Sequence, residues 1–165
     1  MLFVGLDLSL RSTGMACLRE DGSVQSIASF GSPLKRGASV KQKIDRLTAI
    51  TGRIVSDVRA AQSHGEEVLV AIENYAFGAR GAQNDLGELH GCVKQQLAVS
   101  CGVVPSVVSP STYRKLLIGS GRTSKAKSFE FACSALTILG IESTNADQAD
   151  AYLVAEWLRR VTAEE

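Results

Sequence analysis

The chain has 165 residues, of which 45% are hydrophobic and 21% are charged, a balance typical of a soluble globular protein and not of a disordered or fibrous one. This length predicts a single domain over residues 1–165, long enough to bury a full core. No apolar run approaches the roughly 20 residues of a membrane span and no signal peptide is evident, so we expect a cytoplasmic protein without a membrane partner.

The charge and the cysteine and histidine contents exclude several kinds of site. The net charge of +1 neither requires nor excludes nucleic acid, so an anion-binding surface needs local clustering of cations. The two histidines, His64 and His90, are too far apart for a His-based site; we expect His64 in a solvated loop and His90 at an interface or on the surface. No cysteine pair has C-x-x-C spacing, so we expect small core residues at four positions, Cys17, Cys92, Cys101 and Cys133.

The first part of the chain predicts three strands followed by a long helix. Residues 2–8, 15–20 and 24–30 are short apolar runs separated by turn signals, which predicts an antiparallel meander. Ser39 is suited to an N-cap position. From Val40 onward, apolar residues recur at helical spacing, which predicts a helix that ends near the QSHGE segment and whose apolar face carries Ile44, Leu47, Ile54 and Val58.

The second part of the chain predicts alternating strands and helices. The expected elements are a strand at 67–74, a helix at 83–100, a strand at 102–109, a short helix at 110–119, a helix within 120–140 and a final helix from about Asn145 to Val161. The order β-β-β-α-β-α-β-α-α predicts an α/β fold. Its mixed five-stranded sheet would join three antiparallel strands to βαβα units, with helices on both faces.

Acidic residues stand where a plain core would not place them. Asp7 lies inside an apolar strand, where an unpaired charge costs several kcal/mol. Glu73 ends the fourth strand, which we expect beside the first, so both side chains would face one cleft. Asp147 and Asp150 are three residues apart and share one face at the start of the last helix.

Four converging carboxylates repel one another unless a cation lies between them. Hard oxygen ligands suit Mg²⁺, for which Mn²⁺ substitutes, and two ions about 3.5–4 Å apart would serve phosphodiester hydrolysis. Taken singly, Asp147 and Asp150 are also explained as helix N-terminal acids, and Glu73 as a strand end at the surface. Asp7 is the hardest to explain in that way. We therefore predict Asp7, Glu73, Asp147 and Asp150 as catalytic and metal-binding residues.

Three segments, GLDLSLRSTG, AIEN and ADQADAYLVA, resemble motifs of the RuvC family of Holliday-junction resolvases, which have an RNase H-like fold. That family has an Asp in the first strand, a Glu ending the fourth, and two acids or a His and an Asp at the last helix. The resemblance implies these roles for Asp7, Glu73, Asp147 and Asp150. It also implies Mg²⁺ dependence and no organic cofactor.

The middle of the chain carries the same resemblance. The segment YRKLLIGSGRTSK resembles a family segment with two DNA-contacting basic positions, which implies that role for Arg114 and Lys125. DLGELHGCVKQQLAV resembles the helix of the family's homodimer interface. Two departures, DLS in place of DPG and Ala76 where cellular members often have a wedging Phe, are consistent with a divergent phage-type member.

Further residues between the fourth strand and the last helix are candidates for DNA contact. Lys and Arg side chains there would bind phosphates, with the affinity falling as salt rises. Tyr75 and Phe77 follow Glu73 and would either stack on a base or cap the core. Lys127 taken alone also fits a solvated helix face. The full predicted DNA-binding set is Tyr75, Phe77, Arg80, Arg114, Lys115, Arg122, Lys125 and Lys127.

These features predict a dimeric, Mg²⁺-dependent endonuclease of DNA recombination and repair. A two-fold dimer would place two active sites on opposed strands of a four-way junction and make paired symmetric nicks. Two alternatives remain open at this point. One is another RNase H-like nuclease, acting on RNA–DNA hybrids or ribosomal RNA, and the other is a junction-binding protein without catalysis.

Overall fold

Five strands form one mixed sheet in a computed structural model that describes residues 1–35, 37–74, 83–141 and 145–164. The strands are β1 (Leu2–Asp7), β2 (Thr13–Arg19), β3 (Val24–Phe30), β4 (Val68–Glu73) and β5 (Ser106–Val108). Their spatial order is β3-β2-β1-β4-β5, with β1, β2 and β3 antiparallel and β4 and β5 parallel to β1. The predicted mixed sheet is confirmed, including the contact between the first and fourth strands.

Five helices of the described chain cover both faces of the sheet, as predicted. They are α1 (Val40–Ser63), α2 (Gln83–Cys101), α3 (Pro110–Ile118), α4 (Lys125–Ile138) and α5 (Ala146–Ala163). The cores separate α1 and α2 on one face from α3, α4 and α5 on the other. Three helices follow β5, matching the three elements expected there, although the condensed order β-β-β-α-β-α-β-α-α counts only two. Gly119, with a left-handed φ of 86°, ends α3, and Ser124 caps a separate α4.

Side chains of β1 alternate between the two cores, as expected for a strand covered on both faces. Leu2, Val4 and Leu6 pack toward α1 and α2. Phe3 packs on the opposite side, under α5. Asp7 has the same parity as Phe3, so it belongs to the α5 face of the sheet.

The helices confirm some predictions and correct two. Ser39 caps α1 in a capping box with Gln42. Ile44, predicted on the apolar face of α1, is 56% exposed and belongs to the outer surface. His90, predicted at an interface or on the surface, is instead buried in α2. No helix within the described ranges is long and apolar enough to cross a bilayer.

Glycine allows α5 to lie unusually close to the sheet. A Cβ atom on Gly5 would overlap the backbone of Ala151 and Ala155, and one on Gly14 would overlap the carbonyl of Asp147. Gly14 is also the partner of Asp7 in the β1–β2 ladder. The first turn of α5 is thereby fixed directly above the end of β1, where the acidic residues are found.

Candidate active site

The ends of β1 and β4 bring two predicted carboxylates together. The parallel ladder pairs Leu6 with Ile72, so the next residues, Asp7 and Glu73, lie side by side at the end of their strands. Ala71, two residues before Glu73, packs in the core beneath α5. Both carboxylates therefore emerge on the face that α5 covers.

The turn after Asp7 is closed by two hydrogen bonds. The Thr13 hydroxyl donates to the carbonyl of Ser9 at 2.6 Å, and the Ser9 N–H donates to Thr13 Oγ1 at 3.2 Å. Thr13 is fully buried. The polar stretch that follows Asp7 is therefore an ordered reversal that leads straight into β2, and it holds Asp7 at the strand end.

The start of α5 is anchored to the sheet through its cap. Asn145 accepts a hydrogen bond from the Gln148 N–H at 2.9 Å and donates from Nδ2 to Ser29 Oγ in β3 at 2.8 Å. This anchoring places Asp147 in the first turn of α5 and Asp150 one turn later. The helix N-terminus also favours negative charge at these positions.

The four acidic side chains act electrostatically on one another. Burial raises the pKa of Asp7 to about 8, with the Glu73, Asp150 and Asp147 carboxylates adding to the effect and the Lys125 ammonium opposing it. Burial likewise raises the pKa of Glu73, and Asp150 adds to that shift. The predicted residues are thus gathered at one end of the sheet, where the carboxylates of Glu73, Asp150 and Asp147 all act on Asp7.

Two members of this cluster have polar partners, whereas Asp7 has none among the described residues. Lys125 Nζ lies 3.0 Å from Asp150 Oδ2, and Asp150 is only 4% exposed. The Tyr113 hydroxyl donates to Glu73 Oε2 at 2.8 Å. Lys125 therefore forms an ion pair with Asp150, in addition to the DNA-contact role that the sequence predicts for it.

The donor set fits a hard divalent cation in its chemistry, because every ligand atom is a carboxylate oxygen. As the side chains stand, no group of three or more acidic, histidine or cysteine side chains in the described ranges is close enough to hold one ion. The Lys125 ammonium supplies the positive charge beside Asp150. Ion binding would therefore require side-chain rotations within the cluster, and the metal role of the four acids stays a prediction.

Arg114 lies next to the cluster on α3. Its guanidinium lies 5.7 Å from the centre of the Tyr113 ring, and Nη1 donates to the carbonyl of Thr123 at 3.4 Å. Its positive charge opposes the upward shift in the pKa of Glu73. Arg114 and Lys125, the two basic positions implied by the resemblance, thus both lie close enough to the acids to influence them.

The other predicted cations lie elsewhere. Lys115 and Arg122 line a groove of about 960 Å³ that Trp157 also lines. From Asp147 to Trp157 is ten residues of α5, about 15 Å along the helix axis. Lys127 is on the exposed surface of α4. The remaining predicted DNA-binding residues, Tyr75, Phe77 and Arg80, lie outside the described residues.

Two residues at these sites are not predicted from the sequence. Tyr113 stands 40 positions from Glu73 in the chain, and no local pattern signals that its hydroxyl reaches a carboxylate. Trp157 is the one tryptophan of the chain and lies in α5 close to the core residues Ala155 and Leu158. A large polar-tipped aromatic residue within an amphipathic helix is the only signal that either position offered.

No protein-family profile and no curated protein sequence matches this chain. Solved structures match this chain along nearly its whole length, and two of them are RuvC structures. One is Thermus thermophilus RuvC, with 19% identity, a TM-score of 0.71 and coverage of 98% of this chain and 97% of that one. The other is T. thermophilus RuvC in complex with Holliday junction substrate, with 17% identity, a TM-score of 0.68 and coverage of 98% and 96%. The chain therefore has the RNase H-like fold of the RuvC structures, in agreement with the resemblance in its motifs.

Proposed function

We propose that this protein is a divalent-metal-dependent endonuclease that resolves four-way and other branched DNA by paired nicks. The observation that supports it most is the convergence of Asp7, Glu73, Asp147 and Asp150 at one sheet edge of a RuvC-like fold. A buried carboxylate cluster with too little positive charge is costly to keep unless it serves binding or catalysis.

Asp7, Glu73 and Asp150 are the residues that would hold Mg²⁺ or Mn²⁺, with Asp147 beside them. When bound, such ions would make water a better nucleophile and offset negative charge on the leaving oxygen. The protein contributes the fixed backbone positions of the ligand residues through the β1–β4 register and the anchored start of α5. Water attack then needs no covalent intermediate with the protein.

Two cations would orient the phosphate that is cut. Lys125 contacts Asp150 with its ammonium, yet its side chain is 64% exposed, so it can turn toward a phosphate at the mouth of the cluster. Arg114 is close enough to Glu73 for its positive charge to act on that carboxylate. Both cations would contact phosphates of the bound DNA backbone. The affinity for DNA should therefore fall as the salt concentration rises.

Flanking DNA would follow the groove next to α3. Lys115 and Arg122 line it, and neither makes an ion pair with an acid of the described chain. Ser111, Thr112 and Ser120 add hydroxyl donors there. Such unneutralised cations and hydroxyls are suited to phosphate oxygens. We assign Tyr75, Phe77 and Arg80, which follow Glu73 in the chain, to contacts at the branch point.

A homodimer would use the outer face of α1 and α2. Val40 and Ile44 are 74% and 56% exposed there. They line a groove of about 840 Å³ that Cys92 also borders. A two-fold dimer matches the two-fold symmetry of a four-way junction and supplies two active sites. Ile44→Asp should convert the dimer to a monomer in sedimentation, and an unchanged mass would reject this interface.

Cleavage of matched substrates tests the proposal. A labelled four-way junction, a three-way junction, a linear duplex and an RNA–DNA hybrid are incubated with Mg²⁺, with Mn²⁺ and with EDTA. We expect metal-dependent symmetric nicks in the branched DNA, and loss of cleavage with retained binding for Asp7→Asn. Preference for the hybrid would instead indicate a related RNase H-like nuclease. Junction binding without cleavage in either metal would indicate a non-catalytic protein.

A further inference from the structure

The hydroxyl of Tyr113 is buried inside the carboxylate cluster. Tyr113 is fully buried, and its hydroxyl donates to Glu73 Oε2 at 2.8 Å. This is the only hydrogen bond to Glu73 from a side chain of the described residues. Glu73 extends from the end of a strand on a flexible side chain, so the phenol supplies a fixed point for its carboxylate.

The placement of Tyr113 relative to Glu73 is rigid. Glu73 pairs with Val108 in the β4–β5 ladder, and the Asn74 N–H donates to the carbonyl of Val108 at 2.7 Å. Ser109 then caps α3, accepting a hydrogen bond from the Thr112 N–H. Tyr113 follows in the next turn of that helix. Two adjacent strand ends and a capped helix thus set the geometry of the contact.

In the contact between the two side chains, Tyr113 is the hydrogen-bond donor and Glu73 is the acceptor. A phenol has a single O–H to donate, and an ionised carboxylate can only accept. Tyr113 therefore holds one oxygen of Glu73 and leaves the other, Oε1, without a described donor.

We propose that Tyr113 is a positioning residue that orients Glu73 for metal binding in the endonuclease proposed above, and so sets the affinity for the divalent ion. The inference rests on that proposed function for the role of Glu73. Hydrogen bonds to metal-ligating carboxylates fix their orientation, and their loss typically lowers metal affinity or activity about 10- to 100-fold. Tyr113 is too deeply buried to touch DNA itself.

A purely structural role is the competing explanation, and the chain contains a matched control. Tyr152 is also a buried tyrosine in the same core cluster. Its hydroxyl makes no hydrogen bond to Asp7, Glu73 or Asp150 in the described chain. Removing the hydroxyl from Tyr152 therefore tests packing and polarity alone, whereas removing it from Tyr113 also frees Glu73.

The experiment compares Tyr113→Phe, Tyr152→Phe and wild-type protein by calorimetric titration with Mn²⁺, and by the Mg²⁺ dependence of junction cleavage. For Tyr113→Phe we expect the Mn²⁺ dissociation constant and the half-saturating Mg²⁺ concentration to rise about 10-fold. Junction affinity in EDTA should stay within about twofold of wild type. Tyr152→Phe should leave both metal constants unchanged, and circular dichroism checks that each variant is folded.

A double-mutant cycle tests whether the effect of Tyr113→Phe on Mn²⁺ affinity acts through Glu73. In a Glu73→Gln background, Tyr113→Phe should change the remaining Mn²⁺ affinity by less than about twofold, because coupled residues are not additive. Equal Mn²⁺ affinity of Tyr113→Phe and wild type would overturn the positioning role while leaving the proposed nuclease intact. A wild-type protein that binds no Mn²⁺ would overturn the proposed metal-dependent function, and this inference with it.

Discussion

Replacement of Asp7 by Asn should stabilise the metal-free protein while abolishing cleavage. Burial, together with the carboxylates of Glu73 and Asp150, raises the pKa of Asp7 from 3.8 to about 8. The native state therefore holds the Asp7 proton more tightly than the unfolded chain does. As a result the stability of the native state falls as pH rises from about 4 to about 8, and then levels off. Asn keeps the shape of the side chain and removes the charge.

The size of the effect follows from the shift. The pKa of Asp7 is about four pH units higher in the native state than in the unfolded chain. At about 1.4 kcal/mol for each unit, the ionised Asp7 can lower the free energy of unfolding by at most about 6 kcal/mol above pH 8. Local rearrangement and water entry reduce such penalties, so we expect Asp7→Asn to gain about 2 kcal/mol at pH 8. For a chain of this size that corresponds to a rise of about 4–8 °C in Tm. At pH 5 the gain should be smaller.

The assay is urea and thermal unfolding in EDTA from pH 5 to pH 9. Asp45→Asn is the control, because Asp45 is an exposed acid paired with Lys41 on α1, and its replacement should change stability by less than about 1 kcal/mol. Saturating Mg²⁺ should stabilise the wild type but leave Asp7→Asn almost unchanged. A variant no more stable than wild type at pH 8, or a difference that does not grow with pH, would refute the electrostatic argument.

Three further predictions concern the surroundings of the cluster. Lys125→Met should destabilise the metal-free protein by about 1–2 kcal/mol in urea unfolding, because it leaves the buried Asp150 without its cation. Added Mg²⁺ should then stabilise the variant more than it stabilises the wild type. Equal stability of the variant and the wild type in EDTA would contradict this. Lys115→Ala should weaken junction binding and lower the salt slope by about one, followed through the fluorescence of Trp157, and an unchanged slope would remove the groove from the DNA path. Gly14→Ala should cost at least about 2 kcal/mol because its Cβ would overlap α5, whereas Gly52→Ala, with open space around it, should be neutral or stabilising in the same unfolding assay.

The sequence was sufficient to predict the sheet order around the site. Strand-length apolar runs and their connections predicted β1 beside β4, which by itself places Asp7 next to Glu73. The acids of α5 were found because they interrupt an apolar pattern. Period-2 and period-3.6 patterns report which face is buried, and buried acids stand out against them.

The partners of those acids could not be predicted in the same way. The contacts of Tyr113 with Glu73 and of Lys125 with Asp150 join residues 40 and 25 positions apart. These contacts depend on the register of the short strand β5 and on the position at which Gly119 ends α3. The local hydrophobic periodicity of the sequence predicts neither of them. Lys125 therefore looked like a plain DNA-contacting lysine. Ile44 looked like core for the converse reason, since an apolar stripe on α1 continues onto an outer surface.

The packing that gathers the acids also prevents them from separating. Gly5 and Gly14 let α5 approach the sheet so closely that any shift of the helix would open a gap in a core filled by alanines such as Ala151. The repulsion felt at Asp7 therefore cannot be relieved by moving the backbone, and it is met by protonation, by Lys125 or by a bound cation. An ion that binds only the native state at 100 times its dissociation constant would contribute about 2.7 kcal/mol, which is comparable to the gain expected for Asp7→Asn. Fold stability and ion binding are thus linked through one residue, and the Mg²⁺ dependence of unfolding measures that link without any DNA present.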